Sequence, residues 1–224
     1  MFFTSKGRVF QLKAYEIPAA ISRTTKGQAI VNFLQLGSDE TLSATLSISD
    51  LATSSYKYLV MATKQGVIKK TDIKSFESVR RSGLIALKIK AGDELLWVQP
   101  STGKDDIMMV TKNGMQIRFA ENGVREMGRT AAGVRGMKLK GDDAVVGMGI
   151  VSEKHEAVEQ LFVVMGNGFG KRTGVTEYKQ QGRGGSGVKT AKVTEKTGPI
   201  IAAIVLKDTD MERDIVMISE KGQV

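Results

Sequence analysis

A phrase recurs five times along this chain: an apolar strand, a tight turn ending in glycine, and a second strand carrying Lys or Arg. It begins as Phe2-Phe3-Thr4-Ser5-Lys6-Gly7-Arg8-Val9, returns as Val60-Met61-Ala62-Thr63-Lys64-Gln65-Gly66-Val67 and again as Met109-Val110-Thr111-Lys112-Asn113-Gly114-Met115. The last two copies are Val163-Val164-Met165-Gly166-Asn167-Gly168-Phe169 and Ile215-Val216-Met217-Ile218-Ser219-Glu220-Lys221-Gly222-Gln223-Val224. Their turn glycines, Gly7, Gly66, Gly114, Gly168 and Gly222, stand 59, 48, 54 and 54 residues apart. Self-similarity at a period of about 50 residues means an array of equivalent supersecondary units, because a single unit cannot bury its apolar face alone.

Within a unit the first strand is apolar on both faces, as in Leu59-Val60-Met61-Ala62, Ile107-Met108-Met109-Val110 and Leu161-Phe162-Val163-Val164. Such runs suit strands covered on two sides. The second strand alternates (Met115-Gln116-Ile117-Arg118-Phe119; Val9-Phe10-Gln11-Leu12-Lys13), so one of its faces is expected to meet solvent or a ligand. The Lys-Gly and Asn-Gly joints supply the positive φ that a tight hairpin needs. A basic, glycine-closed loop follows, at Arg23–Gly27, Arg80–Gly83, Arg129–Gly133 and Gln181–Gly187. Its closing glycine falls 20, 17, 19 and 19 residues after the turn glycine. Third strands are then expected at Ile30–Phe33, Leu84–Leu87, Val134–Leu139 and Val188–Val193, followed by an acidic turn and a fourth strand such as Glu94–Val98 or Ile200–Val205.

Four short strands per repeat predict an all-β, propeller-like β-pinwheel of four complete four-stranded blades plus part of a fifth. The expected boundaries are residues 1–56, 57–105, 106–158, 159–211 and a partial 212–224, all within a single domain. A β-helix would need far shorter repeats, and helical periodicity is confined to Glu153–Gln160, expected to be an inserted loop or helical turn. The chain starts inside a first strand and stops inside a second one, and so reads as a piece of something longer.

Thirty-three Lys and Arg against 24 Asp and Glu give a net charge of +9, which favours a polyanionic partner. The absence of cysteine removes disulfides, thiolate nucleophiles and Cys-based metal sites, and points to a reducing compartment such as the cytoplasm. No run approaches the length of a membrane span, and the N-terminus lacks the pattern of a signal peptide. The cations recur with the repeat. Hairpins end in Lys13, in Lys69 and Lys70, in Arg118, and in Lys171 and Arg172. Loops add Arg23 and Lys26, Arg80 and Arg81, Arg129, and Arg183, and the set extends to Arg8, Arg135, Lys179 and Lys189. Blade symmetry would set these along one rim, where neutralised phosphates release counterions and dominate affinity for duplex. From Asn167 to Lys192 six cations face one anion, whereas from Val193 to Val224 four cations face six anions. Few aromatics accompany the basic residues, which argues against a single-strand stacking platform and for readout of duplex backbone. Any one of these cations could equally be a solvated loop charge, so the weight rests on their recurrence.

Other chemistries lack support. Gly182–Thr190 misses a nucleotide-binding loop by one inserted residue and has no strand-to-helix context, and Gly166–Gly170 reads as a hairpin turn rather than a dinucleotide fingerprint. His155 is the sole histidine, expected exposed, and a lone histidine without spaced partners makes a poor metal site. Tyr15, Tyr56, Tyr58, Tyr178 and Trp97 are expected to pack. No cofactor, metal or catalytic residue is predicted.

The opening segment Phe2–Pro18 and the segment Gly168-Phe169-Gly170-Lys171-Arg172-Thr173 with Glu177-Tyr178 resemble the C-terminal domain of the DNA gyrase A protein, and the resemblance runs through all 224 residues. It implies a six-bladed pinwheel whose basic rim binds, bends and wraps duplex DNA. The partners implied, besides duplex DNA, are the rest of the gyrase A protein and the gyrase B protein, in an enzyme that supercoils DNA with ATP. The family's Gln-Arg-Arg-Gly-Gly-Lys-Gly box is matched at five of seven positions by Gln181-Gly182-Arg183-Gly184-Gly185-Ser186-Gly187, with Gly182 and Ser186 in place of two cations. The match falls in a later blade than the family's box does, so the full box is expected upstream of Met1. Rival readings are the corresponding domain of topoisomerase IV, which lacks the box, and a propeller serving as a protein-interaction module. A hydrolase has no constellation of side chains to support it.

Overall fold

A computed structural model describes residues 1–19, 22, 26–48, 55–207 and 214. The fifth hairpin, the expected blade at 212–224 apart from Asp214, and Arg23 lie outside the described residues. Fifteen strands form four antiparallel sheets among the described residues. The hairpins are β1 (Phe2–Thr4) with β2 (Arg8–Phe10), β4 (Tyr58–Thr63) with β5 (Val67–Asp72), β8 (Asp106–Thr111) with β9 (Met115–Ala120), and β12 (Gln160–Met165) with β13 (Gly170–Gly174). Fourth strands are β3 (Leu42–Thr45), β7 (Leu95–Ser101), β11 (Val145–Val151) and β15 (Ile200–Leu206). Third strands are short: β6 (Leu84–Ile85), β10 (Val134–Arg135) and β14 (Val188–Lys189). No helix among the described residues is long and apolar enough to cross a membrane.

Repeat and sheet do not coincide. The sheets run β3-β1-β2-β6, β7-β4-β5-β10, β11-β8-β9-β14 and β15-β12-β13, so each third strand leaves its own unit and pairs with the second strand of the unit before. This exchange explains two departures from the sequence pattern. The first is that β5 and β9 are buried at their four inner positions rather than open on one face, because the next unit covers the side that alternation suggests is free. The second is that Ile30–Asn32, expected as a third strand, is a 3-10 turn: its partner would be the second strand of a preceding unit, and the described residues hold none.

Hairpin turns hold the exchange together. The amide of each turn glycine donates to the residue three before it, as in Gly7 to Thr4 and Gly114 to Thr111. Only the glycine has positive φ (+76° at Gly7, +87° at Gly114), which matches a type I turn followed by a left-handed residue rather than a two-residue type I′ turn. In the first three units the turn glycine's carbonyl then accepts two amides from the following unit: Ala86 and Leu87 on Gly7, Gly136 and Met137 on Gly66, Thr190 and Ala191 on Gly114. The approach leaves no room for a side chain, since a Cβ on Gly114 would lie 2.3 Å from the Ala191 oxygen.

The core sits between sheets, in three clusters. Leu59 and Met61 on one face of β4 meet Phe3 and Val9 of the first unit, with Phe3 edge-on to Phe76. Val60 and Ala62 on the other face meet Ile107 and Met109. Met108 and Val110 in turn meet Leu161 and Val163. First strands are apolar on both faces because each serves two clusters. Among the fourth strands, β11 and β15 approach closely because Gly147 and Gly149 offer no side chain; a Cβ at Gly149 would fall 2.4 Å from Val205. The Glu153–Val158 insertion is a run of turns with His155 exposed, not a helix. Tyr58 and Tyr178 are buried as expected, Trp97 is half-buried, and Tyr15 is 85% exposed instead of packed.

Candidate nucleic-acid interface

Three of the predicted hairpin cations do not face solvent. Lys69 is fully buried, and its ammonium donates to the carbonyls of Ala86 and Arg129. With no carboxylate at hand, burial depresses its pKa from 10.5 to about 8. Lys70 is buried over the Tyr58 ring, donates to the Glu121 carbonyl at 3.1 Å and faces the Glu121 carboxylate at 3.7 Å. Arg118 is buried too. Its guanidinium meets Asp106 at 2.7 Å and Glu156 at 2.9 Å and donates to the carbonyls of Val175 and Tyr178. These side chains join one unit to the next, and the exchanged third strand is what shuts them away from any ligand. Sequence alternation suggests the rim because it is blind to that neighbour.

Lys70 and Arg118 follow one rule. Each stands four residues after its turn glycine, and each reaches the 3-10 turn that begins seven residues after the next turn glycine, Glu121–Gly123 for Lys70 and Val175–Glu177 for Arg118. Hairpin-turn lysines are also engaged: Lys6 with Asp39, Lys64 with Glu94, Lys112 with Asp142. Those exposed pairs contribute little stability each, but they neutralise the hairpin end of the sheets.

Exposed cations without an ion pair recur in register on and just after the third strands. Lys88, Lys138 and Lys192 each fall five residues after a closing glycine (Gly83, Gly133, Gly187), and all three are exposed. Beside them Arg135 and Lys189 occupy one register, with Ile85 as the third member, and Lys90 and Lys140 another; all of these are exposed as well. Of these seven cations only Arg135 and Lys189 are among the residues predicted from the sequence. The signal for the others is present there, since a lysine five residues after the closing glycine recurs at the repeat's own period.

Backbone hydrogen bonds carry this strip from unit to unit. The Lys88 amide donates to Ala131 in the next closing loop, and the Lys138 amide to Gly185 in the one after. Gly184 donates to the Gly136 carbonyl, and the Arg183 guanidinium reaches the Arg135 carbonyl. The loop Gln181–Gly187 is therefore a packing loop as well as a basic one. Its Gln181 amide donates to the Arg118 carbonyl, and a Cβ on Gly187 would meet the Gln116 carbonyl at 2.1 Å. Gly182 is exposed and Ser186 half-buried. A hollow of about 840 Å³ opens beside the strip, with Lys64, Lys90, Arg135 and Lys138 on its walls against Asp93, Asp142 and Asp143.

Among the remaining predicted residues, Lys26, Arg80, Arg81, Lys171, Arg172, Lys179 and Arg183 lie on loops or strand edges, as does Lys13 after the first hairpin. Arg8 is tied to Glu40 at 2.7 Å and to the Ser82 carbonyl, and half-buried Arg129 donates to the Ser75 carbonyl.

Radially repeated antiparallel sheets with strands lent between neighbours and a cationic edge define a β-propeller variant of the pinwheel type. A family model described as the DNA gyrase C-terminal domain, a beta-propeller, matches residues 1–49, 57–102, 105–152 and 166–207, and the chain belongs to that family. It is 42% identical over all 224 residues to the A subunit of DNA gyrase from Staphylococcus epidermidis, and 38% identical to that from Staphylococcus aureus. In each case it spans 24% of the relative's length. Among solved structures it is similar to a C-terminal domain of DNA topoisomerase IV (TM-score 0.80, 29% identity, 92% of this chain and 63% of that one). A DNA gyrase A C-terminal domain gives a TM-score of 0.74 at 26% identity, over 91% of this chain and 64% of that one. The chain is thus a C-terminal accessory segment of the bacterial gyrase A type.

Proposed function

We propose that this segment holds duplex DNA against its third-strand strip, bends it, and presents it to the cleavage core formed by the rest of the gyrase A protein with the gyrase B protein. In this reading it catalyses nothing itself and supports negative supercoiling by the whole enzyme. The observation that carries the proposal is the column Lys88, Lys138 and Lys192, one exposed cation at one register in each of the second, third and fourth units (the first has Asn32 there), flanked by Arg135, Lys189, Lys90, Lys140 and the loop arginines Arg80, Arg81 and Arg183. Curving a 20–30 bp segment by 40–90° costs on the order of 1–6 kcal/mol, more than one phosphate contact offsets and within reach of several units acting together. The buried cations Lys69, Lys70 and Arg118 drop out of the DNA-facing set.

The test is a titration of a labelled linear duplex at about 50 and 200 mM salt. Roughly six or more phosphate contacts predict an affinity loss on the order of 10³-fold between the two, shrinking when Lys88, Lys138 and Lys192 are all replaced by Ala. A salt-independent affinity would sink the proposal and favour the protein-interaction reading. The degenerate loop Gln181–Gly187 keeps the topoisomerase IV type of accessory domain as a second reading, and supercoils trapped on ligated nicked circles separate the two by sign and size.

A further inference from the structure

The four sheets meet in three seams, first with second, second with third and third with fourth, each filled by one apolar cluster. Corresponding places in the three seams can be compared residue by residue. Two residues after the turn glycine stand Val9, Ile68 and Gln116. The following unit contributes the residue three after its closing glycine, Ala86, Gly136 and Thr190, and the residue ten after its turn glycine, Phe76, Val124 and Tyr178. All of these are buried. The first two seams are thus apolar at all three places, and the third is polar at all three.

Gln116 is 0% exposed, and neither its amide nitrogen nor its amide oxygen has a hydrogen-bond partner among the described residues. The Tyr178 and Thr190 hydroxyls bond each other at 2.6 Å. The closed seam therefore holds a desolvated amide that regains hydrogen bonds when water enters, a cost of closure that Val9 and Ile68 do not carry. The guanidinium of Arg118 crosses the same seam to the carbonyls of Val175 and Tyr178, contacts that water can also replace. At the outer margin a hollow of about 420 Å³ lies between Phe169 and Lys171 of the fourth hairpin and Lys189, Thr190 and Lys192, with cations on both sides and no carboxylate on its walls. The inner margin is of another kind. There Gly147 and Gly149 of β11 lie directly against Ala203 and Val205 of β15, whereas at the second seam the Gln99 side chain of β7 is bonded to the backbone of Met148 and Ile150.

We propose that the third seam is the joint of the array. The fourth sheet swings from the third about the smooth contact of β11 with β15, and the polar outer half of the seam opens to water. Strand β14 stays paired with β9, and Thr190 and Ala191 keep their hold on the Gly114 carbonyl. No strand pair breaks, and Lys189 and Lys192 stay with the third sheet, so the movement does not depend on what the third-strand strip binds.

Amide hydrogen exchange on the full-length protein tests this. The turns at 121–124 and 175–178 carry the same two amide bonds: the first residue donates to the Asp105 or Glu159 carbonyl, and the fourth donates to the first. Residues 175–178 are expected to exchange about tenfold faster than 121–124, while β15 exchanges as slowly as β11. Equal protection of the two turns overturns the proposal. Fast exchange of β15 overturns it too, since the whole fourth sheet would then be fraying. The triple variant Gln116→Val, Thr190→Ala, Tyr178→Phe copies the first seam and is expected to slow 175–178 to the rate of 121–124. Gln116→Val alone keeps the hydroxyl pair and is expected to close part of that gap. Exchange at 175–178 that stays unchanged in the folded single variant overturns the proposal, because the opening would then owe nothing to the buried amide.

Discussion

Lys70 and Lys138 carry the same charge and belong to adjacent units, yet one lies against the Tyr58 ring and Glu121 and the other stands exposed three residues after the third strand. Each seam cation reaches at least one backbone carbonyl of the following unit, Arg129 for Lys69, Glu121 for Lys70, and Val175 and Tyr178 for Arg118. The strip is fixed through its backbone amides, which leaves the ammonium groups to the solvent or to an anion. The difference shows that in an exchanged sheet the position of a lysine within its own strand does not decide its use. What decides it is whether the next unit's third strand and turn lie over it.

The largest effect that would break this contrast is at Arg118. Replacing it with Ala leaves the buried Asp106 carboxylate with only the Gln180 amide and no counter-charge, and removes two carbonyl contacts, so a loss of about 3–5 kcal/mol is expected in denaturant unfolding. A loss below about 1 kcal/mol would return Arg118 to the surface set. The next effect concerns Lys69, whose pKa is depressed from 10.5 to about 8 by burial. The unfolded chain then binds more protons than the folded one between those two values, so stability rises as pH climbs through the window from about 8 to 10.5. Lys69→Met should lack that rise, and identical pH profiles for the two proteins would mean the ammonium is not desolvated. The smallest effect on stability is at the strip. Lys138→Ala should move unfolding by no more than about 0.5 kcal/mol, yet lower the salt slope of duplex binding by about one.

Much of the architecture is legible because glycine and apolar residues encode it locally. Gly7, Gly66, Gly114 and Gly168 mark the hairpins, and the doubly apolar first strands announce burial on two sides. The exchange of third strands is not legible, since Val134-Arg135 carries nothing that says it pairs with Val67-Ile68 of the previous unit rather than with its own hairpin. That single unknown accounts for the misplaced Lys69, Lys70 and Arg118. It also accounts for Ile30–Asn32, a strand by pattern for which the described residues hold no partner edge. The 3-10 turns that begin seven residues after Gly7, Gly66, Gly114 and Gly168 escape a sequence reading because three or four irregular residues have no periodicity to detect. Lys88, Lys138 and Lys192 are a different case: their fixed offset from the closing glycine is visible in the sequence, but the hairpin cations present the louder pattern.

Because the carbonyls of Gly7, Gly66 and Gly114 are each clasped by two amides from the following unit, none of these sheets can be detached without tearing its neighbour. Loosening one module should propagate along the array, so local opening by heat or mechanical load should spread between modules and not stay confined to one. A load imposed by a bent duplex would be shared the same way, with strain at one contact passed to the adjacent module through the lent strand.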